Sequence, residues 1–128
     1  IELLIKTMYK NTSIDSEIQL YVKTNCSKSK KAIAYAKSHS NNVNTIDLSK
    51  TKGTGIIWLS ILAKLDKSPK ELLDKSQPYY QENIKGRDFE DRDWTNLLIN
   101  NPELVRSPIA VRGDKAIILD SPTDIYRI

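Results

Sequence analysis

Residues 18–50 read IQLYVKTNCSKSKKAIAYAKSHSNNVNTIDLSK, and the change of period along them decides the fold. IQLYVKT (18–24) alternates in polarity and is rich in β-branched and aromatic residues, which predicts a strand. The Ala- and Lys-rich run from about Ser27 to His39 predicts a helix, with Thr24 or Asn25 as its cap. VNTIDLSK (43–50) predicts a second strand, parallel to the first if the helix is a crossover connection. The unit is therefore strand, Cys-bearing loop, helix, strand.

Working outward, TGIIWLSILAKL (54–65) spaces Ile57, Ile61 and Leu65 four apart, with Trp58 and Leu62 widening the stripe, and predicts an amphipathic helix. SPKELLDK (68–75) carries Ser68, Pro69 and Glu71 at the positions of a capping box with its proline, so a short helix starts there. The polar stretch 76–93, broken by Pro78 and Gly86, reads mostly as loop, after which Asp93 caps a helix over WTNLLINN. PIAVRGDKAIILD (108–120) holds two apolar runs around Gly113-Asp114, the pair that a tight hairpin turn favours, and SPTDIYRI (121–128) closes with a short helix. Arg112-Gly113-Asp114 also spells an adhesion tripeptide, but turn geometry explains the same residues.

The chain has 128 residues, 39% hydrophobic and 28% charged, which suits one globular domain with one core. No apolar run approaches the roughly 20 residues needed to cross a bilayer, so a soluble, cytoplasmic protein without membrane contact is expected. One Cys and one His leave no ligand set for structural zinc or an iron-sulfur cluster, and no metal is expected. The net charge is only +4, but no acid falls between Glu17 and Asp47 while Lys23, Lys28, Lys30, Lys31 and Lys37 do. This local positive field suits either an anion or a solvated helix face; without interleaved aromatics, nucleic acid is not the expected partner.

Cys26, the chain's single thiol, falls between the first strand and the helix. There its thiolate would face the unpaired N–H groups of Ser27, Lys28 and Ser29 and the positive end of the helix dipole, with Lys28 and Lys30 adding charge. Together these lower a thiol's pKa, and the same amides can hold an oxyanion or a carboxylate of glutathione. The alternative is that Cys26 is an ordinary small residue at a helix start.

YVKTNCSKSKKAIAYAKSH at the front, SPKELLDKSQPYY in the middle and NNPELVRSPIAV at the back resemble the arsenate reductase family, which includes Spx-type regulators. The resemblance covers about residues 17–128 and implies an α/β thioredoxin-like (glutaredoxin-type) mixed sheet, with a helical insertion at about 54–101. Residues 1–16 lie outside it as an N-terminal extension, either an extra edge strand or an arm. It implies Cys26 as nucleophile and a cis peptide bond before Pro108, with Arg106, Ser107 and Pro108 positioning the substrate.

Where that family's pattern has oxyanion-holding arginines, this chain matches with Asp74, with Ser107, and with Asp120 or Ser121; Arg106 is one residue off. Neighbouring strand side chains point to opposite faces, so Arg106 is not a simple replacement. An acid there repels an oxyanion, since like charges ~4 Å apart cost several kcal/mol at intermediate dielectric. Ser29 stands where a Cys-x-x-Cys motif has its second thiol, so a dithiol cycle within the chain is excluded. The expectation is a monothiol oxidoreductase, not a competent arsenate reductase, with no bound cofactor, glutathione as co-substrate, and a small thiol or protein thiol as partner. The alternatives are a non-catalytic binding or regulatory module that contacts a protein partner, and a reductase in which Arg87, Arg92 or Arg106 swings in.

Overall fold

The structure is a computed structural model that describes residues 17–23, 26–48, 50 and 55–128. Its first strand, β1 (Ile18–Val22), pairs in parallel with β2 (Val43–Asp47), from Ile18 opposite Val43 to Val22 opposite Asp47. Helix α1 (Ser27–His39) makes the crossover between them. On its other edge β1 pairs antiparallel with β3 (Ile109–Arg112), Leu20 lying opposite Ala110, and β3 turns back into β4 (Lys115–Ile118). The mixed sheet runs β2-β1-β3-β4. Gly113, at φ +59°, takes the left-handed conformation that lets Arg112 pair with Lys115 across a two-residue loop. The RGD tripeptide is thus accounted for by that hairpin.

Strand alternation sends side chains to two separate cores. Ile18, Leu20, Val22 and Ala110 face α1, meeting its Ala32 and Ala36 and the C-terminal 3₁₀ helix Pro122–Arg127 through Ile125. Ile109 and Val111 face the opposite way, onto Trp58, Leu72, Trp94 and Leu98. That second core is supplied by α2 (Gly55–Leu65), a 3₁₀ turn Pro69–Leu72, α3 (Pro78–Asn83) and α4 (Asp91–Asn100).

The helical stretch departs from the sequence expectations in four places. Residues 76–93 are not mostly loop: Pro78 opens α3, because its locked φ fits a first helical position where no N–H partner is needed. Helix α4 begins at Asp91 with Glu90 as cap, three residues before the cap expected at Asp93. On α2 the buried face is centred on Trp58, Ile61 and Leu62, while Ile57 is 41% exposed at its rim. The start at Ser68 is as predicted, Glu71 accepting the Ser68 N–H at 2.7 Å, but it yields one 3₁₀ turn instead of a helix. Thr24 and Asn25, expected as caps of α1, and the extension 1–16 lie outside the described residues. Cys26 itself occupies the N-cap, extended at φ −98°, ψ 124°.

Candidate functional site

Backbone bonds fix the turn that carries the thiol. The Cys26 N–H donates to the Lys23 carbonyl at 3.3 Å, and the Cys26 carbonyl accepts the first helical bond from the Lys30 N–H at 3.1 Å. The following amides stay unpaired within the helix and point toward the Cys26 side chain, which is half-buried. Ser29, buried on the inner face of α1, accepts the Lys23 N–H on its hydroxyl oxygen at 3.3 Å. It therefore ties the end of β1 to the start of α1.

Burial is the largest single influence on the thiol and pushes its pKa up, yet the net direction is down. The Ser29 and Lys28 N–H groups, the Ser29 hydroxyl and the Lys23 ammonium, which all favour the thiolate, together outweigh it. The donor set differs in detail from the one read off the sequence. The N–H groups of Lys28 and Ser29 act on the sulfur, and the cation comes from Lys23 at the end of β1; the Lys28 side chain is half-buried and Lys30 is exposed to water.

Lys23 links the thiol to the second half of the fold. Burial lowers its pKa, against the attraction of Asp74, Cys26 and Glu103. Asp74 is pushed up by burial but ends below the usual carboxylate range. It accepts the Ser76 hydroxyl at 2.6 Å, the Ser76 N–H at 3.0 Å and the Gln77 amide at 3.2 Å, and Lys23 adds its charge. The acid that matches an oxyanion-holding arginine of the family pattern is thus held by its own donors and by Lys23.

Pro108 is buried and follows a cis peptide bond from Ser107; its carbonyl accepts the Leu119 N–H at 2.9 Å. Because Tyr21 pairs with Ile109, the register sets Pro108 beside the end of β1 from which the Cys26 loop departs. Arg106 belongs elsewhere. Its guanidinium bonds Asp120 at 3.2 Å and the Glu71 carbonyl at 3.3 Å, and it lines a cleft of about 460 Å³ with Lys67, Asp74, Lys75 and Ser76. The structure therefore groups Cys26, Lys28 and Ser29 with Lys23 and, through it, Asp74; Arg106 shares the cleft of Asp74 without acting on the thiol, and Lys30 faces water.

Lys23 was missed by sequence reasoning as a partner of the thiol. The available signal was its place three residues before Cys26, where a turn folds it back. A cleft of about 840 Å³ between α2 and α4, lined by Leu59, Leu62, Arg92 and Ile99, does not include the thiol. Among the described residues no cluster of His, Cys, Asp and Glu could hold a metal ion, and no helix is long and apolar enough to cross a membrane.

A model of the ArsC family matches residues 21–126. A candidate arsenate reductase from Yersinia pestis superposes with a TM-score of 0.81 at 22% identity, over 88% of this chain and 100% of that one. An arsenate reductase from Vibrio cholerae gives a TM-score of 0.81 at 18% identity, over 88% and 98% of the two chains. A Staphylococcus aureus protein gives 0.67 at 26% identity, over 79% and 88%. No curated protein matches the chain. The architecture shared with these structures is the thioredoxin-like α/β fold.

Proposed function

The chain belongs to the ArsC family, and from that premise we propose that it is a monothiol, glutathione-linked oxidoreductase that uses Cys26 and does not reduce arsenate. The observation that carries the reading is the thiol at the start of α1, held toward its ionised form by two backbone amides, the Ser29 hydroxyl and Lys23. The second position of a dithiol motif is occupied by Ser29, whose hydroxyl supports the sulfur but cannot resolve a disulfide.

The chemistry is thiol–disulfide exchange. The Cys26 thiolate attacks the glutathionyl sulfur of a mixed disulfide R–S–S–G, forming Cys26–S–S–G and releasing R–S⁻, which takes a proton from water. A second glutathione, as thiolate, attacks the sulfur of the bound glutathionyl group; Cys26 leaves as thiolate and oxidised glutathione departs. One disulfide is reduced and one is formed, so electrons balance without a further cofactor. Ser107 and Pro108, beside the end of β1, are the backbone against which the substrate thiol would lie.

Arsenate is disfavoured by the use already made of the cations. Arg106 is paired with Asp120, Arg92 lines the distant α2–α4 cleft, and Lys23 faces Asp74. At Arg106 and Lys23 an incoming oxyanion would compete with a carboxylate already there. The test is a coupled assay with glutathione and glutaredoxin. Arsenate turnover should stay at background, and in a separate assay with glutathione and glutathione reductase but without glutaredoxin, a glutathionylated peptide should be reduced by wild type but not by Cys26→Ser. Arsenate turnover that disappears in Cys26→Ser would overturn the substrate assignment, and failure to react with either substrate would leave a binding or regulatory module of the same fold.

A further inference from the structure

We propose that the flank of α1 that meets the C-terminal 3₁₀ helix binds, together with that helix, single-stranded nucleic acid, independently of the chemistry at Cys26. Lys28, Lys31, Tyr35 and His39 recur three and four residues apart, so they form one stripe along α1. Lys31 is exposed and Lys28 half-buried, whereas the exposed Lys30 and Lys37 lie on the far side of the helix and are not part of the stripe. The buried Ser29, Ala32 and Ala36 occupy the adjoining side, and Tyr35 packs partly against their core. Within Ser27–His39 there is no acid.

Read as sequence, this stripe offers only Tyr35 and His39 as rings, too few for such a surface. Folding supplies a third. Tyr126 of the C-terminal 3₁₀ helix, 49% exposed, has its ring centroid 5.9 Å from Tyr35 and 5.5 Å from His39, the latter edge-on. Three rings from two elements thus cluster at the C-terminal end of a row of lysines.

The acids of the packed elements do not cancel the field there. Asp124 is held by Arg127 at 3.1 Å and accepts the Ser121 N–H at 3.0 Å, and Asp47 lies beside Val22 at the other end of the helix. Lysines track phosphates while exposed rings stack on bases of any identity, which is the sequence-tolerant mode of single-strand recognition. A duplex hides its base faces, and an acidic peptide has no flat groups for the rings.

The experiment is fluorescence anisotropy of a labelled deoxythymidine 20-mer with the full chain at rising salt. Binding should weaken with a log–log slope of about −1.4, as two lysine–phosphate contacts to a single strand, from Lys28 and Lys31, give. Tyr126→Ala should weaken binding about tenfold with the slope unchanged, and Tyr126→Phe should retain it. Lys31→Glu, at an exposed position that does not threaten folding, should weaken binding and flatten the slope by about 0.7. Absence of binding at low salt overturns the proposal, as does binding indifferent to both Tyr126→Ala and Lys31→Glu. Equal competition by polyglutamate also overturns it and assigns the face to an acidic protein.

Discussion

The two faces of the sheet are packed by different means. Toward α1 the helix offers the small side chains Ala32, Ala36 and Ser29, whereas the other face buries Trp58, Trp94, Leu72 and Leu98. Small residues let a helix axis come close to a sheet, and here that closeness brings the first turn of α1 against the end of β1. The Lys28 and Ser29 amides, the Ser29 hydroxyl and Lys23 then converge on one sulfur. The bulky face adds apolar burial and reaches the sulfur only at one remove, through Asp74 acting on Lys23. The lesson is that stability and thiol chemistry are assigned to opposite sides of four strands.

That separation can be broken experimentally. Trp94→Ala, which empties part of the large core, should cost about 3–5 kcal/mol in urea unfolding while leaving Cys26 titration unchanged in the folded protein. A shifted thiol pKa in this variant would show that the faces are not separable. Ala32→Leu should cost about 1–3 kcal/mol by overpacking the thin face, and should also make Cys26 less acidic as α1 is lifted from β1. Full destabilisation with unaltered thiol reactivity would break the comparison from the other side. Arg106→Ala removes a partly exposed ion pair and should cost about 0–1 kcal/mol, with no effect on the thiol.

How much of this was legible follows from where the information resides. The strand-loop-helix-strand unit and the hairpin were readable because period, turn residues and Pro108 are local signals. Helix α3 was not, since Pro78 reads as a breaker until its place at a first helical turn is known. The position of Cys26 at a helix start was readable. Its partner Lys23 was not, because the attraction depends on a turn and on Asp74, brought in from about fifty residues away by the bridge between Leu73 and Val105. The same limit applied to Tyr126, which joins Tyr35 and His39 only through tertiary packing.

The smallest expected effect is a pH dependence. The folded state holds the Cys26 pKa below its ordinary value, so folding favours the thiolate. The resulting stabilisation is present above the unfolded thiol pKa of about 8.5 and is lost as pH falls through the folded value. Urea midpoints of wild type should therefore gain on those of Cys26→Ser as pH rises through that window. Parallel curves would show that the amides and Lys23 do not act on the sulfur.

The most direct measurement is the pH dependence of Cys26 alkylation in the folded protein, beside Lys23→Ala. The account predicts an apparent pKa below about 8.5 that rises toward it when Lys23 is removed. An apparent pKa at or above about 8.5 in the wild-type protein would contradict it and leave Cys26 as a structural residue of the helix start.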